Sequence, residues 1–222
     1  MMRVRFRCWL FFVMLSGIGA SVWHCSVPAQ EKGTKPKVKP VDLLKFIDPA
    51  KHAVKSKWLL QRGKLVSDAE PIGRIMVPYE PPEEYDLEIV AQRLNGKEGM
   101  AISIPYGKNY PSLCLDAYAS TVSGISLCDG KDCQSNKTRW EGRVFPDFGE
   151  ATIICRIRQG RIQIAVDDKV IVDWRGEAND LSLLAWAEVP NKKVLSIGTW
   201  HSSFVISKFS LTPVTGTGKF AK

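Results

Sequence analysis

Histidine is scarce in this chain, with three in 222 residues. His24 sits in the N-terminal segment, which leaves His52 and His201 in the remainder. Cys128 and Cys133 form a C-x4-C pattern, but no second pair of thiols or imidazoles follows at ligand spacing. A tetrahedral zinc site is therefore not encoded. His201 has no recognisable Ser or Cys nucleophile motif to serve, so a catalytic triad is not supported either. An acidic D-x-D-x-D-G loop is also missing. Asp129, Asp132, Asp167 and Asp168 read as turn residues, and calcium has no loop motif to hold it. No other cofactor and no metal is implied.

Other absences narrow the reading further. The formal charge is +8, but Arg3, Arg5, Arg7, Lys32, Lys35, Lys37 and Lys39 lie before position 40. The rest is mildly basic and lacks a dense basic stripe interleaved with aromatics, so nucleic acid is not an expected partner. No helical period runs long enough for an α/β fold. No internal repeat is visible.

Arg3, Arg5 and Arg7 precede the uncharged apolar run Cys8 to Val22, and Val27-Pro28-Ala29 supplies a cleavage site before Gln30. Residues 1–29 read as a secretory signal peptide, with an uncleaved anchor as the alternative. The run is short for a span, which needs about 20 apolar residues. The expected location is secreted, periplasmic or in the cell envelope, with no membrane span after cleavage. Residues 30–40 (QEKGTKPKVKP) read as a basic disordered linker. Residues 41–213 are long enough for one β-domain, and 214–222 read as a flexible tail. After cleavage Cys114, Cys128, Cys133 and Cys155 remain, and four cysteines allow three pairings. Cys128 and Cys133 bracket a turn-rich loop and are expected to form a local bridge. Cys155 is expected to be a small buried hydrophobe.

The segment Ala151 to Gly176 (ATIICRIRQGRIQIAVDDKVIVDWRG) reads as three antiparallel strands. With a two-residue turn at Gln159-Gly160, Arg158 faces Arg161, Arg156 faces Gln163, and Ile154 faces Ala165. Ile157, Ile162, Cys155, Ile164, Ile153 and Val166 then share the other face, because strand side chains alternate. Gly160 supplies the positive φ of a primed turn. A second turn at Asp167-Asp168-Lys169 returns the chain. Val41 to Ala50 reads as a short helix ended by Pro49. Strands are expected at 57–61, 64–67, 74–77, 84–94, 100–104, 113–118, 125–128, 194–198 and 204–211. Many short strands between turn signals indicate a sandwich or barrel.

The order of Trp58, Gly63-Lys64-Leu65-Val66, Pro81-Pro82-Glu83-Glu84-Tyr85-Asp86-Leu87, Ser123-Gly124-Ile125, Asp129-Gly130, the Val166 to Gly176 run and Phe204 to Leu211 carries a resemblance. It resembles the concanavalin A-like or LamG-like jelly-roll domains of secreted bacterial proteins, related to the 3-keto-disaccharide hydrolase domain class. The resemblance covers roughly Val41 to Pro213. It implies an all-β, two-sheet antiparallel jelly-roll sandwich with a short N-terminal helix. Such folds serve lectins, carbohydrate-binding modules, interaction modules and glycosidases, so fold alone does not give function. Asp168 stands where this class usually has glycine.

Three surfaces are candidates. Glu84, Asp86 and Glu88 have the E-x-D-x-E form of a concanavalin-like family of retaining endoglucanases, in which they would be nucleophile, tuning residue and acid/base. That mechanism needs carboxyls about 5–5.5 Å apart, and the plain reading is a solvated strand face. Arg156, Arg158 and Arg161 form a basic patch suited to sulfate or carboxylate, or a solvated outer face. Trp140, Trp186, Trp200, Tyr106 and Tyr110 are placed in or near loops, where Asn109-Tyr110 and Trp200-His201 combine a flat ring with polar groups. Trp58 and Trp174 are assigned to the core. Asn136-Lys137-Thr138 is a formal glycosylation sequon marking a surface loop. The reading is an exported, non-catalytic module binding carbohydrate or a cell-envelope component. The alternatives are a glycoside hydrolase using Glu84 and Glu88, and a structural envelope domain.

Overall fold

The hairpin at Gln159-Gly160 forms in the expected register. Arg158 pairs with Arg161, Arg156 with Gln163, Cys155 with Ile164 and Ile153 with Val166. Gly160 has φ +70°, and the next turn puts Asp167 at +44° and Asp168 at +67°. Aspartate tolerates the left-handed region better than most residues, so it can replace glycine there. The computed structural model describes residues 38–221. The expected signal peptide, 1–29, and most of the expected linker, 30–40, lie outside the described residues.

Two large antiparallel sheets form the body of the fold, with two small two-stranded sheets beside them. One runs in the order Lys169–Arg175, Arg161–Val166, Ala151–Arg158, Tyr85–Gly96, Ser202–Pro213, Lys64–Ser67, Trp58–Gln61, with Val41–Asp42 also on Ser202–Pro213. The other runs Trp140–Glu141, Val122–Ile125, Ser112–Asp116, Met100–Ser103, Leu195–Trp200, Ile72–Val77, Ala53–Lys55. Strands distant in sequence lie side by side, the mark of a jelly roll. Period-two alternation decides what goes inside. Tyr85, Leu87, Ile89 and Ala91 are buried while Asp86, Glu88 and Val90 are only partly covered. Their neighbours Ile153, Cys155, Ile157, Phe209 and Leu211 join the same core. From the other sheet come Ile75, Ile102, Leu113, Leu115, Ile125 and Ile197. Trp58 and Trp174 are core residues, as expected.

Two local expectations change. The helix expected over 41–50 is instead a 3-10 turn, Leu43–Phe46, followed by a helical turn, Pro49–His52. Pro49 begins that second turn rather than ending the first. It needs no N–H there, and the Asp48 side chain caps Ala50 N at 3.1 Å. The C-terminal segment, read as a flexible tail, is seated. Lys219–Phe220 pairs with Tyr79–Glu80, and the Phe220 ring lies 4.3 Å from that of Phe46 and 5.4 Å from that of Tyr79. The aromatic ring supplies apolar area that the Thr-Gly repeat before it lacks.

Candidate functional site

The outer face of the seven-stranded sheet carries a row of mostly small residues. Arg74 pairs with Gly198, Gly198 with Ala101, Ala101 with Cys114, and Cys114 with Gly124. Small side chains leave a trough, and the long connection before Leu195 drops Trp186 into it from the 3-10 turn Ala185–Ala187. The Trp186 ring comes within 3.4 Å of where a Cβ on Gly198 would stand. A methyl group at 198 would touch the indole at ordinary contact distance, so only a side chain longer than alanine would crowd it.

Beside Trp186 opens a cavity of about 330 Å3, within the range of about 300–1,000 Å3 typical of ligand pockets. Ala101, Cys114, Met100 and Leu115 contribute strand residues to it. Trp186 and Trp200 line it as an edge-to-face pair with centroids 5.5 Å apart. Tyr118, Asp132, Cys133 and Glu98 line it as well. The Tyr118 hydroxyl donates to Asp132 Oδ1 at 2.5 Å. Burial, then the Asp132 carboxylate, pushes the Tyr118 phenol above its ordinary range. Flat apolar rings thus stand next to two carboxylates.

Tyr118 is held there by an unusual backbone. Asp116, Tyr118, Ala119 and Ser120 all have φ between +55° and +66°. None is glycine, and each such residue costs roughly 1–2 kcal/mol. A buried ion pair, Arg93 to Asp116 at 3.3 Å, stands behind this turn. Arg93 Nη1 also donates to Ser120 Oγ at 2.7 Å, and Ser120 Oγ donates to Lys97 O at 2.6 Å. The Asp116 carboxylate accepts from Val144 N at 2.5 Å and Phe145 N at 3.0 Å. Burial pushes that carboxyl up, opposed by these amides and by Arg93. Ala119 N donates to Glu98 Oε1 at 3.1 Å. Such over-determined strain clusters at functional sites.

Arg74, at the end of the row, is 2 % exposed. Its Nη1 reaches Glu188 O at 3.4 Å, its Nη2 has no hydrogen-bond partner, and its guanidinium lies 5.0 Å from the Trp186 ring. No carboxylate pairs with it among the described residues. Burial pulls its pKa down to about 10.

The expected site residues separate. Trp186 and Trp200 meet at the cavity, and His201 packs its ring 5.5 Å from Trp200. Tyr110 does not join them. It is 2 % exposed, and its hydroxyl donates to Val194 O at 2.9 Å and lies 3.0 Å from Ser196 Oγ. Asn109 is spent on Ala178 O at 2.8 Å, and Tyr106 on Arg158 O at 2.9 Å. Trp140 is half-buried with Lys169 Nζ 5.5 Å from its ring centroid. The Asn136 amide, expected on a surface loop, is buried and donates to Ile125 O at 2.8 Å.

The charged candidates lie on the eight-stranded sheet, where they satisfy one another. Asp86 pairs with Arg158 at 2.7 Å and Glu88 with Lys208 at 2.7 Å. Glu84 Oε1 accepts from Gln159 N at 3.1 Å. Arg161 grips Asp173 with two bonds of 2.6 and 2.7 Å, and Arg156 donates to Gln163 Oε1 at 2.9 Å. Arg158 and Arg161 are thereby neutralised, because Asp86 and Asp173 stand diagonally across from them on the neighbouring strands.

The expected Cys128–Cys133 bridge is absent, and Cys114, Cys128, Cys133 and Cys155 are free and buried. Cys128 belongs to the main core, whereas Cys133 packs with Ala101, Cys114 and Val122. Closeness in sequence did not bring the two sulfurs together, because the turn between them sends their side chains into different clusters. Cys155 is fully buried as expected, and burial pushes its thiol up to about 12.

The aspartates considered for calcium do not converge. Asp132 receives Tyr118, Asp129 pairs with Lys137 at 3.2 Å, and Asp167 accepts from Thr152 N at 2.9 Å. Among the described residues no group of three or more His, Cys, Asp or Glu could hold a metal ion. No helix of the described residues is long and apolar enough to cross a membrane.

Sequence reasoning missed Tyr118, Glu98 and Arg74, and it weighed Asp132 only for calcium. Nothing in Asp116-Ala-Tyr-Ala-Ser120 signals a left-handed turn, since it contains no glycine.

No protein-family model matches the chain, and no curated protein matches it in sequence. Solved structures do match in fold. The exoplasmic/lumenal domain of VIP36, in its Ca2+/Man3GlcNAc-bound form, aligns with TM-score 0.52 and 11% identity, over 73% of this chain and 83% of that one. The carbohydrate recognition domain of Emp46p, in its potassium-bound form, aligns with TM-score 0.50 and 16% identity, over 78% and 94%. The fold is the concanavalin A-like jelly roll.

Proposed function

We propose that the protein is an exported, non-catalytic carbohydrate-binding module whose sugar site is the cavity beside Trp186 and Trp200. One observation carries this reading: two indoles and two carboxylates, Glu98 and Asp132, line one small cavity on a sheet face. A sugar ring presents C–H faces to aromatic surfaces and hydroxyls to acceptors. The Trp pair supplies the first and the carboxylates accept from the second. The fold likeness to a carbohydrate recognition domain and to a domain solved with a bound mannose glycan is in keeping with it.

The partner is then a glycan of the cell envelope or of another surface. Binding rather than hydrolysis is favoured because Asp86 and Glu88, which the glycosidase alternative needs, are paired with cations. A glycan array probed with the chain from residue 38 onward tests the proposal, followed by titration calorimetry on any positive sugar. Binding that Trp200→Ala abolishes supports it. Absence of binding to every glycan, with the protein folded by circular dichroism, overturns it. Hydrolysis of a β-glucan that Glu84→Gln removes would establish the enzyme instead.

A further inference from the structure

Cys114 faces outward from the Ser112–Asp116 strand, and its cross-strand partner is Gly124. Paired residues on neighbouring strands place their Cβ atoms about 4.5–5.5 Å apart. A Cβ on Gly124 would stand 3.3 Å from Cys133 Cβ. Cys133 therefore leans over the space that Gly124 leaves empty, next to Cys114. Both are buried, at 6 % and 2 % exposure, and they share a small cluster with Ala101 and Val122 that is separate from the main core. Both also line the cavity. The neighbouring Cys133 thiol, and then burial, raises the Cys114 thiol well above its ordinary range.

We infer that Cys114 and Cys133 close a disulfide across the floor of the cavity, formed by exchange with a disulfide oxidant. During folding, before burial raises it, one thiol loses its proton, and the thiolate attacks a sulfur of the oxidant and releases a thiol, leaving a mixed disulfide. The second thiolate displaces the oxidant's other half and completes the protein bond. Two thiols lose two protons and two electrons, and the oxidant's disulfide gains them as two thiols. A disulfide needs sulfurs about 2.05 Å apart and Cβ atoms about 3.5–4.5 Å apart, a spacing that the missing side chain at Gly124 permits. The other thiols are not competitors. Cys128 contacts Asp129 Oδ2 at 3.6 Å, and Cys155 sits inside the sandwich against Ile164.

The bond has a consequence for the cavity. Cys133 directly follows Asp132, whose carboxylate receives the Tyr118 hydroxyl. The cross-link fastens that wall to the sheet and pre-organises it, which lowers the ordering cost of binding.

Peptide mapping tests the pairing. The full chain is equilibrated in a mixture of oxidised and reduced glutathione, unfolded without reductant, alkylated and digested. The expected result is a Cys114–Cys133 cross-linked peptide, with Cys128 and Cys155 alkylated. Alkylation of both Cys114 and Cys133, or Cys133 joined to Cys128, overturns the inference. Thermal melts give a second readout. Reductant is expected to lower the wild-type Tm by roughly 5–10 °C and to leave Cys114→Ala and Cys133→Ala unmoved. An unchanged wild-type Tm overturns it too. Neither result depends on sugar binding, so the carbohydrate reading stands or falls separately.

Discussion

The two outer faces of the sandwich use charge in opposite ways. On the eight-stranded sheet Glu88, Asp86, Arg158, Arg161 and Asp173 lie in cross-strand pairs, each acid beside its cation. On the seven-stranded sheet the row from Arg74 to Gly124 is nearly bare of charge, and the cation that it has is buried without a carboxylate. The charge-rich face advertises chemistry in the sequence and has little left to offer a ligand. The quiet face holds the tryptophans, the strained turn and the cavity. Charges already matched by opposite charges are poor ligand anchors, since a ligand must displace those partners first, whereas Glu98 and Asp132 accept from Ala119 N and the Tyr118 hydroxyl but pair with no cation among the described residues.

The largest expected effect comes from setting the charge pairs of the outer face against Arg93–Asp116, a buried pair that links a strand of each sheet. Asp116→Ala leaves a guanidinium buried and unpaired, which is expected to cost about 3–5 kcal/mol. Asp86→Ala removes a partly exposed partner and is expected to cost under about 1 kcal/mol. Urea unfolding of both variants measures the difference, and similar losses would erase the distinction between a buried charge pair and one on an outer face. Next in size is binding. Trp200→Ala is expected to weaken glycan affinity at least about tenfold, or roughly 1.4 kcal/mol, whereas Arg156→Ala should leave it unchanged by calorimetry.

Arg74→Met turns the comparison around. Replacing a buried charge by an apolar residue of similar length is often stabilising, so the melting point should rise, by roughly 1 kcal/mol of stability. A fall would mean that the contacts to Trp186 and Glu188 O outweigh the desolvation of the guanidinium. The smallest effect is expected at Glu88→Gln, whose stability should stay within about 0.5 kcal/mol of wild type with glycan binding intact. Any large loss of binding there would move the site to the other sheet.

Legibility followed the range of the interaction. The Ala151 to Gly176 strands were readable because alternation and a Gly-containing turn are local, and the register came out residue for residue. Trp186 and Trp200 were visible as aromatics near loops, but their meeting over Gly198 joins a loop and a strand pair. Tyr110 has the same composition-level signal and ends buried, where its hydroxyl donates to Val194 O and lies beside Ser196 Oγ. The turn at 116–120 was not readable at all. Its positive φ values are imposed by Arg93, Val144 and Phe145, which come from other parts of the chain.

Local pattern alone sets the all-β class, the inward face of each long strand and the placement of Cys155, because strand periodicity and turn chemistry act over a few residues. Tertiary structure decided which charges are cancelled, which aromatics line a cavity and which cysteine faces which. Those outcomes depend on pairing between strands far apart in the chain. In a sandwich that pairing sets every neighbour a side chain has outside its own strand.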